Sequence, residues 1–273
     1  MICEEVCDDK NAIQTNRTVN VKENCVEQLR ELMKEHDLLK KVPNNESYLL
    51  RFLYSTSFDV PAAFRRMRSF YEFLVEHPEW FAKDGPLSKK SLIEKDIRIL
   101  TSLKDRGGRP IFLLKIGNLN PSTMELLDVI RIDDYWLEYI VDDPNLRENG
   151  LCVIVDLKNL SLRMMKWSTP YLVRTFLKKL QVLPIKEYRF HVVNSSFVAN
   201  TFIKIIWPLV NDRLKKMVKF HFENWESLHD FIDPHNLPPE YRGTATLNFS
   251  ECYEKLYRKD YEIRKSYETY RTL

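Results

Sequence analysis

The chain has 273 residues, 44% of them hydrophobic and 30% charged, a length that accommodates one or two globular domains with a sizeable core. Its 42 Lys and Arg stand against 39 Asp and Glu, a net charge of +3 that lacks the strongly basic footprint of a duplex binder, so no nucleic-acid partner is expected. Only six Gly occur, at 85, 107, 108, 117, 150 and 243, and neither a Gly-x-Gly-x-x-Gly fingerprint nor a phosphate-cradling P-loop can be written with them. Gly-x-Ser-x-Gly, His-Glu-x-x-His and Cys-x-x-Cys are absent too, which removes the commonest hydrolase, metalloprotease, zinc and redox signatures; no cofactor or metal is expected. Five cysteines (Cys3, Cys7, Cys25, Cys152, Cys252) are an odd number in a chain too large to need stapling, which fits a reducing compartment. The opening residues are acidic where a signal peptide would be basic and then apolar, and no apolar stretch approaches the ~20 residues of a membrane span. The expectation is a soluble, cytoplasmic protein.

Residues 1–22 are polar and without apolar periodicity, and are expected as a flexible tail. From Asn24 to Leu39, Val26, Leu29, Leu32, Met33 and Leu39 recur at helical spacing. A second helix is expected behind Asn44 or Asn45 as N-cap, carrying Tyr48, Leu49, Phe52 and Leu53 inward. Asp59 is suited to cap a third, whose stripe Val60, Phe64, Met67, Tyr71 and Leu74 steps by three or four until His77-Pro78 stops it. Three amphipathic helices predict a small helical domain over 24–80.

Asp105-Arg106-Gly107-Gly108-Arg109-Pro110 is a turn, and beyond it short apolar runs alternate with longer helical ones. Strands are expected at Ile111–Ile116, Leu151–Leu157, Tyr188–Val193 and Met217–Phe222, and helices at about Ser122–Asp142, Ser161–Leu180 and Phe197–Lys216. Such alternation implies crossovers in a mainly parallel sheet, so the segment 90–245 is expected to be an α/β domain. Residues 246–273 mix Tyr with alternating charges and contain neither Gly nor Pro, predicting one final surface helix.

Three features sit awkwardly in a simple core. In Phe197–Leu209, Val198, Phe202, Ile205, Ile206 and Leu209 make a wide apolar stripe that breaks at Pro208, fitting either an ordinary crossover helix or a lid over a cavity. On the helix after Pro121, the stripe Leu126, Ile130, Asp133, Leu137, Ile140 carries a carboxylate at its centre. Either Asp133 has a partner, such as a ligand hydroxyl or a nearby base, or it points to water, because an unpaired buried carboxylate costs several kcal/mol. Residues 186–219 hold Lys186, Arg189, Lys204, Arg213, Lys215, Lys216 and Lys219 against Glu187 and Asp212, a local charge of +5 that suits either a solvated face or an anionic membrane surface.

The order and spacing of several short pieces now carry a resemblance. Leu50-Arg51-Phe52-Leu53 followed by Phe58-Asp59, Gly108-Arg109-Pro110, and Asn149-Gly150 leading into Val153-Ile154-Val155-Asp156-Leu157 are the first of them. His191-Val192-Val193-Asn194, Trp207-Pro208-Leu209, Lys216 to His221 and Leu237-Pro238-Pro239-Glu240-Tyr241 follow. Over roughly residues 25–245 the chain resembles the CRAL-TRIO lipid-binding family, in its tocopherol-transfer and retinaldehyde-binding branch. The resemblance implies an N-terminal helical bundle joined to an α/β pocket that buries one hydrophobic molecule, with the region from Ser195 to Lys216 as its gate. It implies that Ile130, Asp133 and Leu137 face the pocket from one helix, Leu151, Val153 and Val155 from a strand, and Phe176 and Leu180 from another helix. Val198, Phe202, Ile205, Ile206 and Leu209 would close it, while Cys152 and Ile154, on the other side of their strand, would be plain core.

The chain also departs from the family pattern. Tocopherol-type members place serine hydroxyls where this chain has Asp133 and Leu137, so the polar anchor is rearranged. The family's basic cleft for phosphoinositide headgroups keeps Lys186 and Arg213 but meets Tyr188 and Met217 at two other positions, where Arg189, Lys216 or Lys219 would have to substitute. The basic residues expected after Phe52-Leu53 are Tyr54 and Thr56, the gate's usual Pro is Ser196, and the paired Gly after Tyr241 is Arg242-Gly243. The resemblance implies cytosolic binding and intermembrane transfer of a small tocopherol-, retinoid- or other isoprenoid-like lipid, docking on anionic or phosphoinositide-containing membranes. A lipid-sensing module without transfer is the alternative, and an enzyme built on Asp133, His191 or His221 lacks a nucleophile or metal-ligand pattern among those residues.

Overall fold

A computed structural model describes residues 21–271, so most of the expected tail lies outside the described residues. Helix α1 spans 21–34. Asn45 caps α2 (Glu46–Ser55), accepting from Tyr48 N at 3.0 Å, and Asp59 caps α3 (Val60–Glu76), accepting from Ala62 N at 2.9 Å. The short α4 (Lys90–Ile93) leads into β1 (Arg98–Lys104), β2 (Pro110–Lys115) and the long α5 (Leu126–Asp142). After α6 (Pro144–Arg147), β3 (Leu151–Asp156), α7 (Pro170–Val182), β4 (Tyr188–Val193) and α8 (Phe197–Ile206) alternate. The chain continues through α9 (Asp212–Lys215), β5 (Val218–Phe222) and α10 (Trp225–His229) to α11 (Phe249–Tyr257) and α12 (Asp260–Tyr270).

The sheet runs β1-β2-β3-β4-β5, the order of the sequence, with β1 antiparallel to β2 and the remaining neighbours parallel. Parallel strands that always advance to the same side, joined by right-handed crossovers, place every crossover helix on one face. Accordingly α5, α7 and α8 stand over the face that carries Phe112 and Leu114, Leu151, Val153 and Val155, Phe190 and Val192, and Val218. The strand period of two sends Leu113, Cys152, Ile154, His191 and His221 to the opposite face, where all are buried. There His191 and His221 pack against Phe231 from the segment after α10. A continuous apolar cluster joins α2 and α3 to the sheet, to α5 and to the C-terminal helices.

Several elements differ from the sequence expectation. The turn at 105–110 closes a hairpin whose first strand, β1, was not anticipated; Asp105 N donates to Arg109 O at 2.9 Å, and Gly108, at φ +75°, supplies the left-handed residue. The expected helix Ser161–Leu180 divides into a 3-10 segment, Leu162–Trp167, and α7, because Thr169-Pro170 starts a new helix: Thr169 Oγ1 accepts from Leu172 N at 3.3 Å. Phe197–Lys216 likewise divides into α8, a 3-10 turn at Trp207–Leu209 and α9, since Pro208 has no N–H to extend the helix. The tail of the chain is two helices rather than one surface helix, and it buries Cys252, Tyr253, Leu256, Tyr257, Ile263 and Tyr267.

Candidate ligand-binding site

Between the helical layer and the sheet lies a cavity of about 380 Å³. The sheet supplies its floor through the alternate residues named above, and α5 supplies Ile130, Asp133, Leu137 and Ile140 at steps of three and four, one helical face. Phe176 and Leu180 enter from α7, and Phe202 and Ile206 from α8. The size suits a small molecule.

The wall is apolar except for a few groups, and most of those are already satisfied. Ser168 Oγ donates to Met164 O at 2.8 Å, and Trp136 Nε1 donates to Arg98 O at 3.2 Å. Lys179, whose stem lines the cavity, sends its ammonium outward: Nζ donates to Trp80 O at 2.7 Å and lies 2.8 Å from Asp134 Oδ1, an ion pair not aligned as a hydrogen bond. Burial pulls the Lys179 pKa down, and Asp134 opposes that. Of the charged groups there remains Arg98 from β1, whose Nε donates to Asp133 Oδ1 at 2.8 Å. Burial pushes the Asp133 carboxyl above the usual carboxylate range, against the pull of Arg98 and then of Lys179. So Asp133 has a basic partner, and the partner comes from the strand that sequence reasoning missed.

Of the thirteen residues expected around a ligand, ten line the cavity: Ile130, Asp133, Leu137, Leu151, Val153, Val155, Phe176, Leu180, Phe202 and Ile206. The other three do not. Val198 packs into a smaller apolar cluster with Met164 and Ala199, Leu209 lies half-buried in the turn after α8, and Ile205 is 39% exposed on the outer face of α8. One helix shows only one side to a cavity, and the stripe assigned there was wider than that side. Ser196, in place of the usual Pro, caps α8 by accepting from Ala199 N at 3.0 Å. Phe112, Leu114, Arg98, Trp136 and Tyr188 were missed; the strand alternation of β2 would have found the first two.

Lys186, Arg189, Arg213 and Lys216 are all exposed. Arg189 is occupied in part by Glu187, Nη2 to Oε2 at 3.1 Å. Arg66 of α3 belongs to the same region: it donates to Ser55 O at 2.8 Å and to Ile185 O at 2.9 Å, and burial followed by repulsion from Arg213 lowers its pKa. Asp133 is not brought together with His191 and His221, which lie on the far side of the sheet. Among the described residues no group of three or more His, Cys, Asp or Glu is arranged to hold a metal ion, and no described helix is long and apolar enough to cross a membrane.

The model of the CRAL/TRIO domain matches residues 97–243, more than half of the chain and all five strands. The chain belongs to the CRAL/TRIO family. Clavesin-1 of Rattus norvegicus is 27% identical to this CRAL/TRIO protein over 240 residues, covering 86% of this chain and 68% of its own. Clavesin-2 of Homo sapiens is 26% identical over 239 residues, with 86% and 73% covered. The crystal structure of Sfh5 superposes with a TM-score of 0.52 at 13% identity, over 85% of this chain and 91% of that one, a likeness of fold.

Proposed function

We propose that the protein carries one small hydrophobic lipid, of tocopherol-, retinoid- or other isoprenoid-like kind, through the cytoplasm from one membrane to another. The cavity carries this reading, because about 380 Å³ lined almost wholly by apolar side chains has no favourable occupant other than an apolar molecule. Burying about 300 Å² of ligand surface at ~25 cal/mol per Å² contributes about 7 kcal/mol before the costs of binding. The ligand-contacting set is the ten cavity residues, and α8 is the gate, with Phe202 and Ile206 inside it. Its outer side supports a membrane role: Phe197 is 84% exposed, and Leu162, Met165 and Tyr171 are exposed on and beside the 3-10 segment that shares an apolar cluster with α8. Exposed apolar side chains interspersed with Arg163, Lys166 and Lys204 fit a surface that settles into the headgroup layer. Lys186, Arg189, Arg213 and Lys216, with Arg66 behind them, are assigned to anionic or phosphoinositide headgroups.

Organic extraction of the purified protein followed by mass spectrometry should recover a hydrophobic molecule in about one-to-one ratio. Val153→Trp, in the middle of the cavity floor, should remain folded and retain little of it. Normal binding by that variant would remove the cavity from the function. Bound lipid that never reaches acceptor vesicles would replace the carrier by a lipid-sensing module.

A further inference from the structure

Among the described residues, the Arg98–Asp133 pair is the one charged contact in the cavity wall whose partners are both cavity residues, and it is incompletely used. Asp133 Oδ1 is taken by Arg98 Nε, and Arg98 Nη1 reaches only Ile97 O, at a long 3.4 Å. Asp133 Oδ2 and Arg98 Nη2 have no hydrogen-bonding partner among the described residues. The pair is neutral as a unit. A ligand ending in a carboxylate or phosphate would therefore bring an uncompensated negative charge into a water-poor cavity, where burying an unpaired ion costs several kcal/mol. A hydroxyl has the chemistry both open valences call for, since it can donate to a carboxylate oxygen and accept from a guanidinium N–H without adding charge. An aldehyde or ketone meets only the second.

We propose that Arg98 and Asp133 together select a lipid that ends in an uncharged hydroxyl and reject the same skeleton ending in an acid. This rests on the carrier reading above and narrows its ligand to neutral lipid alcohols. Lys179 does not overturn the balance, because its ammonium is directed out of the cavity and neutralised by Asp134.

The test loads the full chain from phosphatidylcholine vesicles containing equal amounts of retinol and retinoic acid, geranylgeraniol and geranylgeranoic acid, and hexadecanol and hexadecanoic acid. The re-isolated protein is then analysed by mass spectrometry. Whichever skeleton fits, its alcohol should exceed its acid by about tenfold or more, the scale of one charge-assisted hydrogen bond. Asp133→Asn leaves Arg98 without its counter-ion and should shift the ratio toward the acid. The double variant Arg98→Met/Asp133→Leu makes both positions apolar and should bind with the ratio near one, which keeps the inference testable if Asp133→Asn fails to fold. Acid taken up as well as alcohol by the parent protein, or a ratio the variants leave unmoved, overturns the proposal while leaving the carrier reading intact. Uptake of no skeleton with either end group removes the carrier reading and this inference with it.

Discussion

Burial keeps His191 neutral. Its Nδ1 lies 3.0 Å from His221 Nε2, whose ring passes the contact on to Ser227 Oγ at 2.8 Å, and desolvation, then repulsion from His221 and Lys219, depresses the His191 pKa to about 4. In the unfolded chain it would titrate near 6.5. A base whose folded pKa is depressed lends its full stability above the unfolded value and loses it as pH falls from about 6.5 to about 4, for a total on the order of 3 kcal/mol. The melting temperature of the parent protein should therefore fall more steeply across that window than that of His191→Gln, and parallel curves would refute the assignment. Both histidines were visible in the sequence as members of strands. Their contact was not, because it depends on β4 and β5 being neighbours with His191 opposite Lys219, which places His221 on the diagonal.

Helix α5 is amphipathic in an unusual sense, apolar toward the cavity and ionic on an adjoining side that is buried at Asp134 and Glu138. Asp134, Glu138 and Asp142 follow one another at steps of four. Asp134 meets Lys179 at 2.8 Å and Arg271 at 3.0 Å, Glu138 meets Arg271 at 3.2 Å and Arg51 at 2.8 Å, and Asp142 also pairs with Arg51. Such a ladder ties α2, α7 and the end of the chain to one helix. Replacing Asp134 with Ala would strand Lys179, fully buried, and Arg271 with half its partners, so about 3–5 kcal/mol of stability should be lost in chemical denaturation. A double change of Asp134→Leu and Lys179→Met should cost far less, since Arg271 keeps Glu138 and each remaining charge keeps a partner; equal losses would show that the pairing itself is not the cause. The helix and its apolar stripe were legible from residue spacing, and so was Asp133 as the interruption in it. The cations were not, because they come from positions 51, 98, 179 and 271, and no local pattern links segments so far apart.

At the scale of the whole molecule, the gate and the basic surface should act together in delivery. Reversing Lys186 and Arg213 to Glu should slow ligand transfer to vesicles containing anionic or phosphorylated inositol lipids and leave ligand affinity in solution nearly unchanged, because neither residue lines the cavity. Raising salt should reproduce the effect in the parent protein, since exposed charges are screened beyond ~8 Å at physiological ionic strength. Transfer rates indifferent to both would reduce the cluster to a solvated face. The α/β layering was readable from strands alternating with helices, but β1 lay beyond that pattern: an antiparallel edge strand needs only a hairpin, not a crossover helix to announce it. The identity of strand order and chain order has a consequence for synthesis. Each strand can join its predecessor as it leaves the ribosome, so the sheet can grow in the direction of translation. The ionic side of α5 cannot mature on that schedule, because Asp134 and Glu138 wait for an arginine 137 and 133 residues downstream. A nascent chain can thus assemble the sheet that floors its cavity before the ionic side of α5 gains Arg271, the residue that follows α12.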